Sequence, residues 1–238
     1  MSGHSKWSKI KHKKAKEDAK RGKAFTKLIK EITIVARQGG GDPTGNPRLR
    51  LLLDKAKEIN MPQENITRAI KKGTGELPGA QYEAMTYEGY GPAGIAIVVE
   101  TLTDNKNRTV ADLRHIFSAK GGNLAETGAV IWMFEKSGII HAEGAGITQD
   151  DLLETLIEHD IRDIKQDEHW FSIYCDPKSL EEVRKAVAAT GLNIDSAELG
   201  WVAKTTTSVP QEREEKVYDF LTALEDHEDV QNVYTNIA

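Results

Sequence analysis

The sequence predicts an α+β protein of three parts, an all-helical N-terminal domain led by a basic arm and followed by two ferredoxin-like α/β domains. Three observations carry this expectation. Charge is segregated: residues 1–72 hold 19 basic and 7 acidic residues, net +12, and the rest hold 13 and 30, net −17, which sum to −5. Apolar residues recur at helical spacing through the first third. Beyond the turn-rich stretch 73–79 the texture changes to short β-branched runs that alternate with helical patterns.

The helical part comes first. Phe25, Leu28, Ile29, Ile32, Val35 and Ala36 lie at the 3–4 spacing of one helix face, and Gly39-Gly40-Gly41 ends that helix because glycine holds helical backbone poorly. Asn46-Pro47 is a cap followed by proline in the first turn, opening a helix through about Ile59. Pro62 opens a third helix with Ile66, Ala69 and Ile70 inward and Gly73 placed to stop it. The helical domain therefore starts near residue 24, and the more polar segment before it is the arm.

Strands are expected at Tyr82–Tyr87 and Ile95–Thr101, a helix from about Thr109 to Ala119, and a strand at Ala129–Phe134. A second block follows: strand Gly138–Ala142, helix Gln149–His159, strands Ile161–Asp167 and Trp170–Cys175, helix Leu180–Thr190, strand Ile194–Val202. That is β-α-β-β-α-β, the order of a ferredoxin-like split βαβ unit. The tail adds a helix at Val217–Leu224 and a strand at Val230–Thr235. The first β-rich block lacks a closing α-β pair, and the tail has one to spare. The expected domains are therefore 1–80, then 81–134 completed by 205–238, with 135–204 inserted as a ferredoxin-like domain.

Composition excludes several classes. No run of about 18 apolar residues is present, so no membrane partner is expected. A signal-peptide core and a myristoylation glycine are missing at the N-terminus, and the one cysteine, Cys175, cannot form an internal disulfide. A reducing cytoplasm is the expected setting. Gly89-Tyr90-Gly91-Pro92-Ala93-Gly94 matches G-x-G-x-x-G, but it leads into the strand Ile95–Val99 rather than a helix, so it is a strand-to-strand turn and not a dinucleotide site. The seven histidines lack ligand spacing, no carboxylate pair stands out as an acid/base couple, and neither cofactor, metal nor enzymatic activity is expected.

The positive reading is electrostatic. A lysine-rich arm is the footprint of a polyanion binder, and nucleic-acid phosphates are the obvious polyanion. Lys6, Lys9, Lys11, Lys13, Lys14, Lys16, Lys20, Arg21 and Lys23 are expected to neutralise phosphates, with His12 auxiliary, Trp7 stacking, and Arg48 and Arg50 orienting the helical domain along a backbone. The helix near 62–72 offers Gln63, Asn65 and Arg68, a possible base-reading set. The turn carrying Gly89, Tyr90 and Gly91 and the loop carrying Asn105, Lys106, Asn107 and Arg108 are candidate contacts of the middle domain. The acidic blocks suit basic protein partners, ribosomal proteins among them.

Specific strings add a family expectation. Gly3-His4-Ser5-Lys6-Trp7, Asp18-Ala19-Lys20-Arg21-Gly22-Lys23, Asn46-Pro47-Arg48-Leu49-Arg50, Ala69-Ile70-Lys71-Lys72-Gly73-Thr74-Gly75, Tyr87-Glu88-Gly89-Tyr90-Gly91-Pro92 and Thr103-Asp104-Asn105-Lys106-Asn107-Arg108-Thr109 closely resemble signatures of the YebC/PmpR family. The match is dense from residue 3 to 134 and looser beyond. The resemblance implies a helical N-terminal domain plus two α/β domains, in a bacterial cytoplasm or an organelle. It also implies one of two roles. Members are described as probable transcriptional regulators binding promoter DNA, and others act in translation, as a mitochondrial translational activator or in relief of ribosome stalling. An RNA-binding, ribosome-associated translation factor contacting ribosomal RNA is the leading expectation; a promoter-binding regulator is the alternative.

Overall fold

The computed structural model describes residues 18–238. Their contacts form two compact units, one running to Ala129 and taking in Val209–Val233, the other made of Val130–Ser208 and Tyr234–Ala238. Among the described residues there are seven α-helices and eight strands.

In the first unit, α1 (Asp18–Gly39), α2 (Pro47–Glu58) and α3 (Gln63–Thr74) bury one apolar set, Leu28, Ile32 and Val35 against Leu49, Ala56, Met61, Ile66 and Ala69. Helix α1 begins before residue 24. The apolar face starts at Phe25, but Ala19, Lys20, Arg21 and Lys23 are good helix formers and extend the helix into the basic run without needing a core. Asn46 joins two helices: its Oδ1 accepts the Leu49 N–H at 3.1 Å, and its Nδ2 donates to the Val35 and Gly40 carbonyls at 3.1 and 2.9 Å. Gly73 does not stop α3. It lies inside the helix, buried, where a Cβ would run into the Thr33 carbonyl and the Ala36 methyl of α1. The stop is Gly75, in the left-handed region at φ 85°.

The sheet of this unit has the order β3-β1-β2-β8, built from β1 (Glu83–Tyr90), β2 (Ala96–Thr103), β3 (Asn123–Ala125) and β8 (Val230–Thr235). Helices α4 (Lys106–Ala119) and α7 (Gln211–Glu225) belong to it, and Phe117 meets Phe220 edge-to-face with centroids 5.0 Å apart. Read as β2-α4-β3, then β1, then α7-β8, the spatial order is that of a ferredoxin-like sheet whose third strand has moved to the front of the chain.

The sequence misplaces one strand and two helix starts here. Ala129–Phe134 is not a strand: Gly128 turns the chain at φ 92°, its N–H is held by Glu88 Oε1 at 2.7 Å, and Ile131–Met133 is one tight 3₁₀ turn. The strand is instead Asn123–Ala125, too short and polar to announce itself by alternation. Helix α4 starts at Lys106 because Asn105 caps it, accepting the Arg108 N–H at 3.1 Å. Helix α7 likewise starts at Gln211, in a charged stretch that apolar spacing does not mark.

The second unit carries β4 (Phe134–Glu143), α5 (Gln149–Thr155), β5 (Ile161–Asp167), β6 (Trp170–Cys175), α6 (Leu180–Ala189) and β7 (Asn193–Ala203), in an antiparallel sheet of order β5-β6-β4-β7. This is the ferredoxin-like arrangement the element order predicts. Ile140, Phe171, Ile173 and Cys175 pack under Leu152, Leu156, Val183 and Val187. Helix α5 is shorter than expected, ending at Thr155 before a turn over 156–158.

Candidate nucleic-acid interface

Of the residues expected to touch nucleic acid, Lys6, Trp7, Lys9, Lys11, His12, Lys13, Lys14 and Lys16 lie outside the described residues. Lys20 and Arg21 lie on the first turns of α1. Lys23, Lys27 and Lys30 follow at i, i+4 and i+7 on that helix, and all three meet one acidic stretch at the end of α7. Lys23 Nζ is 3.5 Å from Asp226 Oδ1, Lys27 Nζ donates to the Glu225 carbonyl at 2.7 Å, and Lys30 Nζ donates to the Glu228 carbonyl at 3.1 Å.

Lys30 also donates to Asp229 Oδ1 at 2.5 Å. Asp229 is fully buried and takes two more partners, Thr109 Oγ1 at 2.7 Å and Arg108 Nη2 at 3.0 Å. Burial pushes its carboxyl up, but the hydrogen bonds from Lys30, Thr109 and Arg108 outweigh that and hold it at about 2. The carboxylate is therefore charged and neutralised within the protein. Arg108, expected in a contact loop, pairs with Asp229 and with Asp104 at 3.1 Å while its side chain stays 40% exposed. Its neighbours Asn105, Lys106 and Asn107 are exposed, with Lys106 paired to Glu83 and Asn105 occupied as the α4 cap.

The glycine turn is also explained internally. A Cβ on Gly89 would strike the Phe117 ring and the Asn123 carbonyl, and one on Gly91 would strike the Phe220 ring. The close approach those glycines permit is to the protein's own core. Tyr90 alone of the three is exposed, its hydroxyl donating to the Ala129 carbonyl at 3.3 Å.

The remaining cations of the helical part sort by partner. Lys57 pairs with Asp54 and Arg68 with Glu64 on their own helices. Arg50 donates to the Pro43 and Thr44 carbonyls at 3.2 and 3.4 Å, so it braces the α1–α2 loop while remaining exposed. Arg37, Arg48, Lys55 and Lys71 are exposed and make no ion pair among the described residues. Arg37 and Lys71 carry no sequence signal of their own, since basic residues in a last turn complement the helix dipole.

No group of three or more His, Cys, Asp or Glu among the described residues could hold a metal ion, and no described helix is long and apolar enough to cross a membrane. Comparison with known proteins then places the chain. Residues 5–76 match the TACO1/YebC protein N-terminal domain, and residues 82–237 match the TACO1/YebC second and third domain.

The chain belongs to the TACO1/YebC family.

Its TACO1/YebC relatives include a probable transcriptional regulatory protein of Chlorobaculum tepidum, 52% identical over 100% of this chain and 95% of that protein. Another of the same name, from Desulfotalea psychrophila, is 53% identical over 99% of this chain and 95% of its own length. Among solved structures, a conserved hypothetical protein from Aquifex aeolicus superposes with a TM-score of 0.85 at 46% identity, covering 95% of this chain and 94% of that one. The family's two matched regions meet between residues 76 and 82, where the helical part gives way to the first sheet.

Proposed function

We propose that this TACO1/YebC protein is a non-enzymatic, nucleic-acid-binding regulator of gene expression, acting on RNA as a ribosome-associated translation factor in the cytoplasm. The observation that carries the reading is the charge segregation, +12 over residues 1–72 against −17 over the rest. A polyanion is attracted to one end and repelled by the other. The acidic domains suit basic protein partners, with ribosomal proteins the obvious class.

RNA is favoured over DNA by the arm and by α3. Six lysines from Lys6 to Lys16 with a single aromatic, Trp7, suit backbone contact plus stacking on a splayed base. Helix α3, the possible base reader, has its Arg68 held by Glu64 at 2.5 Å. The second reading is a regulator acting on promoter DNA, and it is favoured by the name its relatives carry, probable transcriptional regulatory protein.

Two measurements test this. Replacing Lys11, Lys13 and Lys14 by Ala should flatten the salt dependence of RNA binding by about 0.7 to 0.9 per lost phosphate contact; an unchanged slope refutes the role of the arm. Ultraviolet crosslinking in cells, with a variant lacking residues 1–17 as control, should give discrete ribosomal RNA positions that vanish with the arm. Discrete promoters with no ribosomal signal would instead select the DNA reading.

A further inference from the structure

We propose that the far end of the helical bundle is a second phosphate-binding locus, so that nucleic acid is held at two separated points. The inference rests on the nucleic-acid reading above and deepens it.

Three element ends meet at that place. Gly73 near the end of α3 packs against Thr33, Ala36 and Arg37 of α1, Gly41 of the loop lies against Ile70 and Thr74 of α3, and Asn46 ties the start of α2 to Val35 and Gly40. The adjoining turns carry Arg37, Arg48, Arg50 and Lys71, all exposed. Arg48 and Arg50 occupy the first turn of α2, which has no acidic residue. Arg50 braces the α1–α2 loop, but cations there oppose the helix dipole and Arg48 has no such local role. An external anion explains these cations, because it is drawn to the arginines and to the dipole together. Asp42 and Glu76 are nearby acids whose hydrogen bonds with Thr44 and Thr74 leave their charges in place, so the four cations outnumber two carboxylates there.

The bundle end is separate from the start of α1, to which the arm is joined. Between the arm and the bundle end, the basic face of α1 is taken up by the acidic stretch 225–229, through Lys23, Lys27 and Lys30. Helix α1 has 22 residues, so the base of the arm and the bundle end lie about 30 Å apart at 1.5 Å per residue. At 3.4 Å per nucleotide of a DNA strand this is roughly nine or ten base pairs of DNA duplex, and somewhat more of the shorter-rise A-form RNA duplex. A ligand of that length engages both points, and linking them raises the affinity beyond either alone.

The test uses the full chain and duplex RNAs of 8 and 16 base pairs, with the same DNA sequences in parallel. Three proteins are compared with wild type after circular dichroism confirms their helix content: the arm variant Lys11→Ala/Lys13→Ala/Lys14→Ala, the bundle-end variant Arg37→Ala/Arg48→Ala/Lys71→Ala, and a control, Lys57→Ala/Lys185→Ala, exposed lysines paired with Asp54 and Glu181. On the 16-base-pair duplex the bundle-end variant should lose about two to three from the slope of log K against log salt, at 0.7–0.9 per contact. The control should lose nothing, and the gap between wild type and the bundle-end variant should narrow on the 8-base-pair duplex. A bundle-end slope equal to wild type, with the arm variant lowered, overturns the second locus and leaves the nucleic-acid function standing. A control lowered as much as the bundle-end variant also overturns it, since attraction would then be diffuse. If neither arm nor bundle-end variant changes the slope, the nucleic-acid reading itself fails.

Discussion

Asp229→Ala should be among the most damaging single changes in the first unit. The wild-type carboxylate is fully buried and accepts from Lys30, Thr109 and Arg108 at 2.5, 2.7 and 3.0 Å. Removing it strands the Lys30 ammonium, whose side chain is only 7% exposed, leaving it the Glu228 carbonyl. Breaking a buried pair from one side costs about 3–5 kcal/mol. Lys30→Met should cost less, about 1–2 kcal/mol, because Asp229 keeps Arg108 and Thr109. The double variant Lys30→Met/Asp229→Ala should therefore cost clearly less than the sum of the two, by about 1–3 kcal/mol of coupling.

Acid gives an independent measure. The carboxyl sits at about 2 against an ordinary 3.8, so its contribution is fully present above pH 4 and is lost as pH falls toward 2. That difference corresponds to about 2 kcal/mol, less than the substitution costs because protonation leaves the hydroxyl and guanidinium contacts in place. Hydrogen exchange of the α1 and β2 amides under graded urea suits the measurement, since it reads this unit without the other. A cost below about 1 kcal/mol for Asp229→Ala, or additive single and double variants, would refute the argument.

Further outcomes follow from local geometry. Gly73→Ala should destabilise the helical bundle by about 1–3 kcal/mol, because the new methyl meets the Thr33 carbonyl, whereas Gly22→Ala, with nothing within 4 Å, should not; thermal melts of the two variants check this. Asn46→Ala removes a cap and two buried donations to α1, and urea unfolding should register about 1–3 kcal/mol. Cys175 is buried and burial pushes its thiol up, so a thiol-specific chromogenic reagent should react with it only after unfolding. Tyr174 is pushed up to about 12 by burial, so its phenolate absorbance should not rise near pH 10 in the folded protein, and stability should fall as pH climbs from 10 toward 12.

Much of the fold is legible in the chain because it rests on local chemistry. The three N-terminal helices follow from apolar spacing, Asn46-Pro47 and the glycines, and the second sheet from alternation in Trp170–Cys175 and its neighbours. Elements defined by other means were misread. The strand Asn123–Ala125 exists because β1 is there to pair with it, Leu124 opposite Gly89. The β-branched run after Gly128 is a turn because Glu88, 40 residues earlier, holds the glycine N–H.

The interface divides the same way. Composition and order alone determine that the first third is cationic, that the rest is anionic, and that the arm concentrates lysine around one tryptophan. Which of those cations remain available is decided only by tertiary structure. Lys23, Lys27 and Lys30 read as one more stretch of basic face, and Asp229 as one more solvated acid. Folding brings them together across some 200 residues, and a buried carboxylate is tolerated only with partners of opposite charge. Arg37, Arg48 and Lys71 look unremarkable along the chain, and the turns that carry them adjoin because three helix ends pack around Gly41, Gly73 and Asn46. Charge is a property of residues, but which charges face outward depends on distances that only the folded chain sets.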